Sequence, residues 1–132
     1  MSAKVNEWLN RAKADLTAAE LLQTFDEYPV AILAFHCQQA VEKSLKAFLT
    51  ARNVPFLFRH DLGYLLDLCI NADPDLAELE SEIAGLTPYA VEGRYPTDIP
   101  LEPTKEDGQT FFRQAKNVFA FVSKRIESET SS

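Results

Sequence analysis

The sequence has little glycine, few cysteines and no long apolar run, and each shortage excludes a class of protein. Its 132 residues include four glycines and two cysteines, and they contain neither a glycine-rich phosphate loop nor a paired-cysteine zinc motif. No stretch approaches the ~18–20 continuous apolar residues of a membrane span, and the first residues lack the apolar core of a signal peptide. We therefore expect a cytoplasmic protein with two reduced, buried thiols and no cofactor or metal.

Basic residues are also scarce, since the chain has 13 Lys and Arg against 20 Asp and Glu, a net charge of -7. This balance argues against broad, non-specific binding of nucleic acid, which usually uses a domain-wide basic surface. Between residues 43 and 60, however, no acid occurs and four cations do: Lys43, Lys46, Arg52 and Arg59. A local cationic stretch in an acidic chain predicts that an anion binds there.

Alternating strand patterns are absent, and apolar residues recur every three or four positions instead. The pattern predicts an all-α protein, an antiparallel up-and-down bundle of four to five helices, with one domain over 1–127 and a disordered polar tail over 128–132. The first two predicted helices cover about 3–24 and 29–52. The third starts at 60 or 61, the fourth starts after Asp73, and the fifth covers about 104–127. Asp73 before Pro74, and Thr104 with Asp107, are predicted helix caps. We expect the loop aromatics Phe56 and Phe58 to pack back on the bundle.

The second predicted helix carries polar residues at steps of three, four and three, which place them on one face: His36, Gln39, Lys43 and Lys46. Such a face offers donors to a phosphate or a base edge. Alternatively, His36 and Gln39 bond to neighbouring helices and the lysines are solvated. Glu42 lies four residues before Lys46, a pair worth only about 0.3–0.5 kcal/mol on an exposed helix.

Two further positions carry open alternatives. His60, with Asp61 at a helix start, either meets an anion and moves a proton or serves as a structural cap. Arg94 and Tyr95 either clamp a phosphate and stack on a base, or form a structural corner before Pro96.

Three segments resemble the HEPN (higher eukaryotes and prokaryotes nucleotide-binding) domain family: AFHCQQAVEKSLKAFL at 34–49, HDLGYLL at 60–66 and GRYP at 93–96. The resemblance implies a small helical bundle, often a homodimer. Many members are encoded beside a minimal nucleotidyltransferase as toxin–antitoxin pairs, and others are metal-independent ribonucleases.

In the ribonuclease members, an arginine and a histidine are separated by four to six residues. Here seven residues separate Arg52 from His60. By resemblance, Arg52 would hold the scissile phosphate and His60 would move a proton at the ribose 2′-oxygen. Three hypotheses stay open: a nucleotide- or RNA-binding module that acts with a nucleotidyltransferase partner, a ribonuclease toxin, or a structural dimeric bundle. The hypothesis of a nucleotide- or RNA-binding module assigns phosphate or nucleotide contacts to His36, Gln39, Lys43, Lys46, Arg59, Arg94 and Tyr95.

Overall fold

The computed structural model describes residues 2–86 and 103–131, with side chains through Glu129. Five α-helices follow in chain order within these ranges: α1 (Ala3–Leu22), α2 (Val30–Ala51), α3 (Leu62–Ala72), α4 (Glu80–Ala84) and α5 (Lys105–Ser131). A 3₁₀ helix, Pro74–Leu79, precedes α4. The described ranges contain no strand. The predicted all-α helical bundle is confirmed.

Helix α2 is the centre of the bundle because 13 of its 22 residues are buried. It packs against α1, α5 and α3. Apolar residues lie on several faces of this helix and require contacts on several sides, since each exposed apolar side chain would forgo burial energy. The largest fully buried side chains of the core come mainly from this helix and its neighbours: Leu33, Leu45, Phe48, Leu49, Leu62, Leu65, Leu76, Leu86, Val118 and Ile126.

Helix directions follow from contacts along α2. Near the start of α1, Trp8 lies against Lys46 in the second half of α2, so these two helices form an antiparallel hairpin. Gly108 in the first turn of α5 lies beside Val30 at the start of α2. A Cβ atom on Gly108 would stand 3.0 Å from Val30 Cγ1, so the absence of a side chain permits this close approach.

The predicted helix caps are confirmed. The Asp73 carboxylate accepts a hydrogen bond of 3.1 Å from the Asp75 amide and starts the 3₁₀ helix. Thr104 and Asp107 form a reciprocal capping box, in which each backbone amide donates to the other side chain at 2.8 and 3.0 Å. Aspartate therefore replaces the usual glutamate in this motif without loss of either bond.

The chain departs from the sequence-based prediction at its C-terminal end. A disordered polar tail is predicted from residue 128, whereas α5 continues to Ser131. The physical reason is a tertiary contact, because Arg52 donates a 2.9 Å hydrogen bond from Nε to Glu129 within this stretch. A second prediction, for Arg94 and Tyr95, falls outside the described residues.

The loop between α2 and α3 also differs from its prediction. Phe56 is half-buried and packs against Trp8, with ring centroids 6.5 Å apart. Phe58 does not pack back on the bundle, since 95% of its surface is exposed. Its neighbour Leu57 is exposed as well. The loop thus anchors one aromatic ring and presents the other to solvent.

Both cysteines are free and buried, as expected. Burial raises the pKa of the Cys37 thiol and that of the Cys69 thiol to about 12 each. Because the thiolate is the nucleophile, neither side chain is reactive near neutral pH. Within residues 2–86 and 103–131, none of the helices combines the length and apolar character that crossing a membrane requires.

Candidate functional site

Each cation of the 43–60 stretch contacts at least one carboxylate. The pairs are Lys43–Asp15 at 2.6 Å, Lys46–Glu42 at 3.0 Å, Arg59–Asp61 at 3.2 Å and Arg52–Asp73 at 3.4 Å, with Glu129 as a second partner of Arg52. Some of these acids come from helices remote in sequence. Lys43 and Arg52 join separate helices, so part of the charge asymmetry seen in the sequence serves the fold and does not by itself indicate an anion site.

Asp15 of α1 holds two of the predicted binding residues. Its carboxylate contacts His36 Nδ1 at 2.9 Å and accepts a hydrogen bond from Lys43 Nζ at 2.6 Å. Gln39 is half-buried on the same face of α2, between His36 and Lys43. The first three residues of the predicted polar face thus lie along the α1–α2 interface, and two of them connect the helices.

Glu42 and Lys46 form a buried ion pair, with 3% and 5% of their side chains exposed. The Lys46 ammonium also lies over two aromatic rings, 5.4 Å from the Trp8 centroid and 6.0 Å from that of Phe56. The sequence predicts that Lys46 contacts a phosphate, but its ammonium is not presented to solvent. The Lys46 ammonium instead contacts Glu42 and the two aromatic rings inside the bundle.

His60 is the exposed member of the same cluster. Its Nδ1 atom lies 3.1 Å from each carboxylate oxygen of Glu42, while 59% of the His60 side chain is exposed. An ionised carboxylate accepts hydrogen bonds and donates none, so the neutral imidazole carries its hydrogen on Nδ1. The Nε2 atom of His60 is then the acceptor, on a ring whose orientation a buried carboxylate fixes.

Arg52 joins the ends of three helices. Its guanidinium donates from Nε to Glu129 at 2.9 Å, from Nη1 to the Ala72 carbonyl at 3.0 Å and from Nη2 to Asp73 at 3.4 Å. It also lies 5.1 Å from the centroid of the Phe48 ring. The hydrogen bond to Glu129 raises the pKa of the Arg52 guanidinium above its ordinary value. This arrangement is that of a structural tie.

The structure does not bring Arg52 and His60 together. His60 contacts Glu42 of α2, which lies ten residues before Arg52, the residue that caps the end of this helix. Ten residues of α-helix span about 15 Å along the axis. Within one chain, Arg52 and His60 are therefore held at different places along the central helix, and in residues 2–86 and 103–131 they share no partner.

Arg59, next to His60, is held much less firmly. Its partner Asp61 lies at 3.2 Å, and the two side chains are 47% and 49% exposed. The guanidinium also stacks over Tyr64, 4.5 Å from the ring centroid. Exposed ion pairs contribute about 0–1 kcal/mol, so an incoming phosphate can displace Asp61 at small cost. Of the four cations in the stretch, Arg59 is the one most available to a ligand.

Asn53 sets the course of the loop that carries these residues. It has a φ of 58°, a left-handed conformation that asparagine tolerates better than most residues. The chain reverses there, and the Val54 amide donates to the Leu49 carbonyl at 2.9 Å. The turn ends α2 and directs residues 54–58 toward α1.

A cleft that the sequence analysis did not identify lies between α1 and this loop. Its volume is about 640 Å³. Its walls combine aromatic, charged and small polar residues: Lys4, Glu7, Trp8, Arg11, Thr50, Asn53, Val54, Pro55, Phe56 and Phe58. The spacing of Lys4, Trp8 and Arg11 in the sequence places these residues on one face of α1. The sequence does not identify that face as part of a cleft, because the apolar periodicity of α1 assigns Trp8 to the core.

The five helices of the described ranges form the small helical bundle that the resemblance of the three sequence segments implies. The family model described as HEPN domain matches residues 5–126. The chain therefore belongs to the HEPN domain family.

Three similar proteins each cover most of the chain. A protein of Methanocaldococcus jannaschii named "Putative toxin MJ1304" is 30% identical over 129 residues, covering 87% of this chain and 83% of its own length. The crystal structure of TT1696 from Thermus thermophilus matches with a TM-score of 0.73 and 26% identity, covering 93% of this chain and 98% of that one. The structure of ST0689, an archaeal HEPN homologue, has a TM-score of 0.72 at 20% identity, covers 92% and 97% of the two chains, and supports the fold alone.

Proposed function

We propose that this chain is the HEPN component of a toxin–antitoxin-type system, that it contacts nucleotide or RNA, and that it acts with a minimal nucleotidyltransferase partner. The toxin part of the proposal is supported by the M. jannaschii relative, whose name describes it as a putative toxin. The nucleotidyltransferase partner follows from the family resemblance. The RNA part is supported by the exposed basic residues before α3.

One observation carries the RNA-binding part: Arg59 and His60 are adjacent, and about half of each side chain is exposed. Arg59 is held only by an exposed ion pair with Asp61 and by stacking on a ring, and His60 is oriented by Glu42. By contrast, Lys46 is buried and Arg52 is bound by several acceptors. The same loop continues into the cleft beside α1. Contact with a nucleic acid therefore centres on the α2–α3 loop.

The test is binding of a fluorescently labelled, short single-stranded RNA at low salt, measured by anisotropy. We expect Arg59→Gln to weaken binding about tenfold, because a charge-assisted hydrogen bond contributes about 1.5 kcal/mol or more. The matched control is Arg113→Gln, which removes an exposed arginine from α5 and should leave the affinity unchanged. Equal losses in both variants would show a non-specific charge effect, and no binding by the parent protein would end the RNA proposal.

A homodimer is also part of the proposal. Two large apolar side chains at the start of α2, Ile32 and Phe35, are about half exposed. Leu21 near the end of α1 and Phe25 in the turn that follows are exposed too. Exposed apolar surface of this kind suits a protein interface. Sedimentation of the purified chain should return twice the chain mass, and Phe35→Glu should return the single mass. A monomer for the parent protein would remove the dimer.

The second candidate function is metal-independent RNA cleavage, and the His60–Glu42 contact favours it. A carboxylate that orients an imidazole prepares the other ring nitrogen to accept a proton. The cation beside it would be Arg59, because Arg52 is bound elsewhere. Cleavage of RNA in EDTA, lost in His60→Ala together with growth inhibition on expression, would establish this function. Unchanged cleavage in that variant would exclude His60 as the base.

A further inference from the structure

We propose that the cleft between α1 and residues 53–58 binds one nucleobase together with one phosphate, as a mononucleotide or as one unit of single-stranded RNA. This inference rests on the proposed function and adds a binding site that none of the predicted phosphate contacts includes. Its main members are Lys4, Trp8, Arg11, Phe56 and Phe58.

The size of the cleft suits such a ligand. Its volume of about 640 Å³ lies within the range of about 300–1,000 Å³ that is typical of small-molecule sites. One wall is a helix and the other is a loop that begins at the left-handed turn of Asn53. The cleft is partly open to solvent, so a nucleotide can enter it while still joined to a strand.

Three aromatic rings supply surfaces on which a base can stack. Trp8 and Phe56 are half-buried and meet at an angle of 59°, and the buried ammonium of Lys46 lies over both rings. Lys46 is not a lining residue, so these rings separate the buried ion pair from the cleft. They are held in place before any ligand arrives. Phe58 is uncovered and therefore has the most apolar surface to gain by stacking.

The charges of the cleft suit one phosphate. Lys4 and Arg11 lie one turn before and one turn after Trp8, so the three side chains share a face of α1. Arg11 contacts Glu7 at 2.9 Å in an exposed pair. In the part of the chain that the structure describes, no ion pair involves Lys4. Lys4, which forms no ion pair within the described residues, and Arg11, which is loosely paired, match a monophosphate better than a polyphosphate.

The chain provides its own reporter for this site, because its single tryptophan lines the cleft. Emission of Trp8 is to be followed during titration with AMP, with a short single-stranded oligoadenylate and with ribose 5-phosphate, at low salt. We expect saturable quenching by a ligand that carries a base, and none by ribose 5-phosphate. Quenching by AMP would show that the cleft binds a free mononucleotide, and quenching by the oligoadenylate would show that it binds a nucleotide within a strand.

Two substitutions and one control variant separate the contribution of base stacking from that of the phosphate contact. Phe58→Ala is expected to weaken binding about tenfold, a typical effect of removing a stacked aromatic ring. Leu57→Ala is the matched control, since Leu57 is exposed beside Phe58 but does not line the cleft. Lys4→Gln should reduce the salt dependence of binding because it removes one phosphate contact.

The failure of this inference differs from the failure of the proposed function. If RNA binds with dependence on Arg59 while Trp8 emission is unchanged and Phe58→Ala is neutral, the cleft is not the site and the proposed function stands. If the parent protein binds no RNA by anisotropy, the RNA proposal fails. Quenching by ribose 5-phosphate equal to that by AMP would exclude recognition of a base.

Discussion

Glu42→Ala is expected to lower the free energy of unfolding by about 3–5 kcal/mol, the usual cost of removing one partner from a buried ion pair. The substitution leaves the Lys46 ammonium buried without a carboxylate, and it also releases His60. Domains of this kind are stable by only about 5–15 kcal/mol, so a large share of the stability is at risk. Urea denaturation followed by circular dichroism measures the loss.

A surface pair of the same spacing is the control. Glu7 and Arg11 are also four residues apart, on α1, and both side chains are 60% exposed. Glu7→Ala should cost no more than about 0.5 kcal/mol, because water and salt screen an exposed helix pair. If Glu42→Ala and Glu7→Ala cost the same, the Glu42–Lys46 pair is hydrated in solution and does not act as a buried pair.

The double variant Glu42→Leu with Lys46→Met sharpens this prediction. Removing both charges together leaves no uncompensated ion, so the double variant should be more stable than either single variant. The difference between the double variant and the summed single costs gives the coupling free energy. Additive costs would show that the two side chains act independently.

The helices were predictable from sequence because their signals are local. Apolar spacing, the Asp73 cap and the Thr104–Asp107 box each depend on residues within one or two turns, and the structure confirms them. The boundaries of α1 and α2 lie within two residues of the predicted positions. Periodicity decides which residues face inward, and that suffices for a helical class.

The candidate site was harder to predict because its contacts join remote parts of the chain. A stretch with four cations and no acid does not reveal that Asp15 approaches Lys43 or that Glu129 approaches Arg52. Burial is equally hard to predict from sequence. From its i,i+4 spacing alone, the Glu42–Lys46 pair is expected to contribute only the small free energy of a surface ion pair, whereas both side chains lie inside the bundle. The cleft depends on α1 approaching a loop whose residues lie about 40–55 positions later in the chain, which no local pattern encodes.

Arg52→Ala is expected to destabilise the protein by about 2–3 kcal/mol while RNA affinity stays that of the parent. The guanidinium forms charge-assisted bonds that are each worth about 1.5–3 kcal/mol, but their sum is reduced because Glu129 is half-exposed and regains water. Asp73 keeps a second partner, since Arg125 donates to it at 2.6 Å. The Ala72 carbonyl loses the guanidinium bond. Urea denaturation and RNA anisotropy on the same preparation measure the two quantities.

Arg52→Lys separates charge from geometry at this position. Lysine keeps the positive charge but lacks the planar fork that reaches Glu129, Asp73 and the Ala72 carbonyl together, so it should recover only part of the lost stability. A residue that held a scissile phosphate would behave differently: its removal would reduce RNA affinity or cleavage and leave unfolding nearly unchanged. That second outcome would restore Arg52 to the functional site and contradict its role as a tie between α2, α3 and α5.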